Sequence, residues 1–227
     1  MNIGAIIPAA GQGKRMKKDV NKQYLKLGDR PLLAHTLEVF ANNNKIDQIV
    51  VVVKKEEMDY CQKKILNKYG FENLKLVAGG ETRQQSVYAG LMAFSPAINH
   101  VIIHDGARPL ISKDLLNKVI KKLSKYKALT TAIPVKDTIK IVNKESFVQK
   151  TPNRDSLRAI QTPQAFEYDL IYEAHENFDG KAKATDDASL VENMGYKVKV
   201  IRGENSNIKI TTPIDLVYAQ NILRKNN

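Results

Sequence analysis

The chain has 227 residues, 43% of them apolar, enough to bury a substantial core within one α/β domain. Its 36 Lys and Arg against 24 Asp and Glu give a net charge of +12, which suits nucleic acids, nucleoside triphosphates or simply a lysine-rich solvated surface. A single cysteine, Cys61, excludes an internal disulfide, and no apolar stretch approaches the ~20 residues needed to cross a bilayer.

The N-terminal residues lack the basic region and small-residue cleavage site of a signal peptide, so a soluble, cytoplasmic protein is expected. Ile3 to Pro8 reads as a buried strand. Leu33, Leu37 and Phe40, at i, i+4 and i+7, mark one face of a helix starting near Pro31. Ile49 to Val53 is a second strand and Leu74 to Val77 a third, followed by a helix face at Val87, Leu91 and Phe94. Val101 to Ile103 is another strand, Leu115, Val119 and Leu123 another helix, and Thr130 to Pro134 and Lys197 to Ile201 later strands. Alternating strands and helices predict an α/β fold, a mostly parallel twisted sheet with helices on both faces.

Between about Val135 and Gln161 the alternation breaks. Thr138 to Val142 and Phe147 to Thr151 are β-like runs separated by the polar Asn143 to Ser146, which is hairpin spacing. The pair reads either as an arm reaching toward a partner subunit or as a surface hairpin.

In a sheet of this kind ligands bind beyond the carboxyl ends of the strands, so the segments following each strand carry the functional signal. Pro8 to Met16 (PAAGQGKRM) combines small residues with two glycines, a backbone suited to anions, and Arg15 and Lys22 add fixed positive charge. A dinucleotide fingerprint would need a small residue where Met16 stands, and a P-loop would need Ser or Thr where Arg15 follows Gly13-Lys14. Gly79-Gly80, with Arg83 and Ser86, turns into a helix that can present carbonyls and a hydroxyl to a base edge. His104 to Pro109 (HDGARP) offers Asp105 as a carboxylate for Mg²⁺ on a triphosphate, with Arg108 as its structural ion-pair partner and His104 in a structural role. Gln161 to Phe166 (QTPQAF) and Thr185 to Leu190 (TDDASL) read as a fixed loop and a helix start. Lys209, a lone lysine between isoleucines, reads as a strand residue that either reaches water or meets an anion.

PAAGQGKRM, KQY at Lys22 to Tyr24, GGETRQQSV, HDGARP, Asp137-Thr138, QTPQAF, TDDAS and NIKITTP follow one another in the order found in the 2-C-methyl-D-erythritol 4-phosphate cytidylyltransferase family, which this chain resembles from Ile3 to about Leu223. The resemblance implies a Rossmann-like nucleotidyltransferase fold, one domain over 1–227, and a homodimer in which an arm at about 135–160 hooks over the neighbouring subunit. It implies that Ala9, Ala10, Gly11 and Gly13 line the CTP site, that Gly80 and Ser86 help read the cytosine, and that Asp105 and Gly106 lie near the ribose and a Mg²⁺ ion. It further assigns Arg15 and Lys22 to transition-state stabilisation. Thr138 and Arg154, from the partner's arm, would hold the methylerythritol phosphate with Thr185 and Lys209; Arg154 and Lys209 join the catalytic set. Gly106 stands where alanine is commoner, and Glu81 where some members have Asp.

The implied chemistry is attack by a substrate phosphate oxygen on the α-phosphorus of CTP with loss of pyrophosphate. A phosphate monoester needs no general base, so the lack of a Ser–His–Asp arrangement is no objection. A ribitol-5-phosphate cytidylyltransferase is the near alternative, which PAAG, HDGARP and TDDAS disfavour. A basic nucleic-acid-binding module would explain the charge, but with no Trp and 7% aromatic residues the chain lacks stacking platforms, so neither nucleic acid nor membrane is an expected partner.

Overall fold

A computed structural model describes residues 1–11, 21–178 and 184–226. After β1 (Ile3–Pro8) come a 3₁₀ turn at Lys22–Tyr24 and a small ribbon of β2 (Lys26–Leu27) and β3 (Arg30–Pro31). Helix α1 (Leu32–Ala41) leads to β4 (Gln48–Val53), and α2 (Met58–Cys61), continued by wider π turns to Asn67, leads to β5 (Lys75–Ala78). Then follow α3 (Arg83–Met92), β6 (His100–Ile103), α4 (Lys113–Leu123) and β7 (Ala128–Pro134). The hairpin β8 (Ile141–Val142) and β9 (Val148–Lys150) precedes the long β10 (Arg158–Glu167). The chain continues through α5 (Tyr168–Glu176), α6 (Asp187–Asn193), β11 (Lys199–Arg202) and α7 (Pro213–Asn226).

Among the described residues the main sheet has seven strands in the order β11-β7-β10-β6-β1-β4-β5. β1 pairs in parallel with both β4 and β6, β4 with β5, and β7 with β11; β10 alone runs antiparallel, between β6 and β7. From β1 the chain therefore winds first to β4 and β5 and then returns to the other side at β6. The crevice beyond β1 and β6 is the topological switch point of the sheet.

The period of two along each strand divides the core. Ile3, Ala5 and Ile7 of β1, with Ile49, Val51 and Val53 of β4, face α1, α2 and α4. Ile6, Val50 and Val52, with Val101 and Ile103 of β6, face α3, α5 and α6. The runs of consecutive apolar residues are thus strands covered on both faces, as parallel strands must be. Phe94, read as part of a helix face, lies just past the end of α3, where a Cβ on Gly4 of β1 would sit 2.5 Å from its ring.

The helix starts are encoded locally. Thr82 caps α3 in a reciprocal capping box with Gln85, and Ser112 accepts from the Leu115 amide at 2.9 Å at the head of α4. Asp186 makes the same kind of box with Ser189 for α6. A third, smaller apolar cluster ties Leu25, Leu27 and Leu32 around the β2–β3 ribbon to Ile210 and to Ala219 of α7.

Two expectations change. Gln161 to Phe166, read as a loop, lies inside β10, where Gln161, Thr162 and Gln164 are buried polar residues. Lys209 lies outside any strand, in the irregular segment before α7. At the end of the arm expected over about 135–160, Arg158 to Ile160 pair with β7 and are exposed.

Candidate active site

A cleft of about 520 Å³ opens at the switch point, beyond the carboxyl ends of β1, β4, β5 and β6. Ala9, Ala10 and Gly11 form one wall, held because the Ala9 amide donates to Val52 O at 2.7 Å. Gly79, Gly80 and Ser86 form the opposite wall. Ser86 Oγ donates to Thr82 O at 2.9 Å, and a Cβ on Gly79 would stand 2.6 Å from that hydroxyl, so any larger residue there would force Ser86 to move. Lys22, Lys54, Lys55, Arg83 and Lys209 bring positive charge to the lining, beside Glu56, Glu81 and Asp105.

Asp105 stands at the centre of this charge. Lys209 Nζ is 2.8 Å from its Oδ2, Arg83 Nε 3.4 Å from Oδ1 and Arg108 Nε 3.7 Å from Oδ2. Burial opposes ionisation of the carboxyl, but Arg83, then Lys209 and Arg108, outweigh it and hold its pKa well below the usual carboxylate range. The expected Arg108 pair exists, although it is the loosest of the three; Arg108 Nη1 is spent on Asn207 O at 2.8 Å.

Behind Asp105 lies a buried polar scaffold. The Asp105 amide donates to Thr162 Oγ1 at 3.1 Å, that oxygen lies 3.1 Å from His104 Nδ1, and His104 Nε2 faces Arg108 O at 3.1 Å. Burial lowers the His104 pKa to about 4, so the ring is neutral, donating from Nε2 and accepting from the threonine hydroxyl. This is the structural role expected of His104.

Arg83 bridges two elements: beyond Asp105, its Nη2 donates to Asp187 Oδ2 at 2.7 Å. Asp187 is fully buried at the first turn of α6 and faces His175 Nε2 at 3.2 Å. Gln164 completes the joint, donating to Asp186 Oδ2 at 2.6 Å and Thr130 Oγ1 at 2.9 Å while accepting from the Asp187 and Ala188 amides. The helix-start reading of this segment holds; its acids cap α6 and pair with Arg83.

The cleft thus brings together Ala9, Ala10, Gly11, Lys22, Gly80, Ser86, Asp105 and Lys209 from the sequence reading. Gly106 lies just behind, its amide donating to Pro8 O at 3.1 Å. Gly13 and Arg15, with Lys14 and Met16, lie outside the described residues. Thr185 is exposed directly before the Asp186 cap. Thr138 and Arg154 do not line the cleft of their own chain; Arg154 Nη1 donates to Lys136 O at 3.0 Å within the exposed arm. Sequence reasoning missed the pairing of Arg83 with Asp187 and the Gln164 joint. The Thr82-x-x-Gln85 capping box was the available signal for where Arg83 sits, at the first position of α3.

A doubly wound sheet whose switch point gathers cations and main-chain walls rather than a nucleophile is arranged for phosphoryl chemistry on a nucleotide, and this chain is an α/β nucleotidyltransferase. The model of the family described as 2-C-methyl-D-erythritol 4-phosphate cytidylyltransferase matches residues 3–225, and the chain belongs to that family. The Clostridioides difficile enzyme of that name is 48% identical over 96% of this chain and 92% of its own length. The one from Caldanaerobacter subterraneus subsp. tengcongensis is 46% identical over 99% and 100%. Among solved structures, the 4-diphosphocytidyl-2C-methyl-D-erythritol synthase of Anaerococcus prevotii superposes with a TM-score of 0.88 at 43% identity, over 98% of this chain and 96% of that one.

Proposed function

We propose that the cleft is where the family's reaction takes place: transfer of the cytidylyl group of CTP to 2-C-methyl-D-erythritol 4-phosphate, giving 4-CDP-2-C-methyl-D-erythritol and pyrophosphate. The observation that carries this reading is the convergence of Lys22, Arg83 and Lys209 with main-chain walls and Ser86 at one switch point. Family membership favours methylerythritol phosphate over ribitol phosphate as acceptor.

In this reading the main chain of Ala9, Ala10 and Gly11, continued by Gly13, cradles the nucleotide, while Gly80 and Ser86 meet the cytosine. Asp105 and Gly106 lie toward the ribose. Lys22 and Arg15 offset charge on the α-phosphoryl oxygens while the acceptor phosphate attacks in line, and Lys209 draws the acceptor phosphate in. Two polyanions meet, so fixed cations act directly on the barrier; one such group is typically worth about 3 kcal/mol, or ~10²-fold in rate. The acceptor is already anionic, and no residue has to remove a proton.

Among the described residues no group of three or more His, Cys, Asp or Glu could hold an ion by itself. Mg²⁺ usually takes one or two carboxylates and fills its shell with phosphate oxygens and water. Asp105, kept ionised by its neighbours, fits as that carboxylate. A Mg²⁺ bound there with the triphosphate would neutralise charge on the phosphates.

The reading includes a homodimer and treats 1–227 as one domain with an arm. Ile139, Ile141, Val142, Phe147 and Val148 are all exposed on the arm, Phe147 by 72%, which supports a second copy as their cover. Thr138 and Arg154 would then reach the neighbour's acceptor site, with the neighbour's Thr185 and Lys209. The compartment in this reading is the cytoplasm, which the lone Cys61 supports.

The test is pyrophosphate release from CTP with methylerythritol phosphate, run beside UTP and ribitol phosphate. Release with CTP and methylerythritol phosphate alone is expected. Equal release with ribitol phosphate would overturn the acceptor assignment.

A further inference from the structure

The 3₁₀ turn that carries Lys22 has only three residues, too short to hold a shape by itself. Its fixing point is a side chain from another element. Glu57, between β4 and α2, accepts from Asn21 Nδ2 at 2.6 Å through Oε1, and from Tyr24 OH at 3.1 Å and Gln23 Nε2 at 3.4 Å through Oε2. One carboxylate therefore holds the residues on both sides of Lys22. Gln23, itself buried, also donates to the Ala9 carbonyl and so ties the turn to the first wall of the cleft.

We propose that Glu57 is the positioning residue for Lys22, fixing the backbone on either side of it so that its ammonium is presented to the cleft. Lysine has a long flexible stem, and a cation acts on a transition state only as well as its base is fixed. Burial, then Cys61 and Glu57, raise the Tyr24 pKa, so its hydroxyl remains a donor throughout the neutral range. No other side chain bonds all three of Asn21, Gln23 and Tyr24 among the contacts of the described residues.

The inference rests on the reading that Lys22 acts in turnover, and a double-mutant cycle separates the two. The variants are Glu57→Ala, Glu57→Gln, Lys22→Ala and each Glu57 variant combined with Lys22→Ala, with kcat, KM for CTP and melting temperature measured for each. Glu57→Ala is expected to lower kcat by about tenfold to 10²-fold while KM for CTP changes by no more than about threefold. Glu57→Gln, which keeps an acceptor and the same shape, should recover part of the loss. In the Lys22→Ala background the Glu57 variants should change kcat by less than about twofold, because the group they position is gone. Equal factors in both backgrounds would mean that Glu57 acts independently of Lys22 and would overturn the proposal. So would wild-type kcat in folded Glu57→Ala, or, should that variant not fold, in Glu57→Gln. Wild-type turnover in Lys22→Ala would instead remove the catalytic role of Lys22, and the positioning role with it.

Discussion

Arg83 donates to Asp187 at 2.7 Å although 104 positions separate them in the chain. The same guanidinium reaches Asp105, so one side chain joins the strand end under the cleft to the first turn of α6. Asp187 has no solvent exposure, and removing its cation leaves a charge with, among the described residues, only His175 as an ionisable partner. Arg83→Leu should therefore cost about 3–5 kcal/mol of stability in urea unfolding. Arg83→Leu combined with Asp187→Leu should recover part of that loss, since the stranded charge is gone. An Arg83→Leu variant as stable as the parent would contradict the pairing.

Lys209 is the nearest cation to Asp105 and its side chain is 39% exposed, so it can be removed without opening the core. Lys209→Ala should retain its melting temperature within a few degrees and lose about 10²-fold in kcat/KM for the acceptor phosphate. Lys209→Arg should recover part of the activity. Steady-state kinetics with methylerythritol phosphate as the varied substrate measures both.

His104 predicts a pH dependence of stability. Its pKa in the fold is lowered to about 4, against about 6.5 in an unfolded chain. As pH falls below about 6.5 the unfolded state takes up a proton that the buried ring refuses, so stability present above that pH is lost on the way down to 4. The loss amounts to about 3 kcal/mol for this group. Unfolding free energies measured from pH 7 to pH 4 should show this slope, and His104→Asn should flatten it. Asp105 and Asp187, whose pKa values are held low in the fold, lose their contributions only below about pH 4, a separate window.

Ser86 and Gly79 depend on each other. Gly79→Ala would place a methyl 2.6 Å from Ser86 Oγ, 3.0 Å from Val52 Cγ1 and 3.1 Å from Ala10 Cβ. Ser86 must then turn, at an overpacking cost of about 1–3 kcal/mol. The expected result is a higher KM for CTP with kcat less affected, together with a lower melting temperature. An unchanged KM would show that Ser86 does not meet the base.

The arm predicts concentration dependence. Phe147→Asp should shift a dimer to monomer in sedimentation velocity and reduce specific activity most at low protein concentration. Activity and sedimentation unchanged in this variant would dissociate the arm from assembly.

Much of this architecture was legible because the apolar runs around Ile6, Val51 and Ile102 are covered on both faces and leave no polar residue to interrupt the pattern. The segments after them were legible because glycine and charge beyond a buried strand have few other uses. What escaped were the long-range partners. Nothing local to Asp187 announces Arg83, and nothing local to Lys22 announces Glu57, because a hydrogen bond across a folded core leaves no spacing in the chain. Gln161 to Phe166 was misread for a related reason: two glutamines and a proline look like loop chemistry until the buried partners of Gln164 are known. Lys209 shows the reverse case: a lysine among isoleucines left water and an anion both open, and within the chain it meets an anion, Asp105, while staying partly exposed.

Strand β10 begins at the base of the arm with Arg158 and ends against β6 with Glu167, carrying Thr162 and Gln164 between. The arm is consequently the overhang of an interior strand and not an appendage. Loss or gain of residues at its tip, around Asn143 to Ser146, leaves the ladder untouched, whereas a one-residue slip of β10 would move Gln164 and Phe166 together to the other face of the sheet. A change of arm length should therefore be tolerated at the tip and should disturb the sheet register at the root.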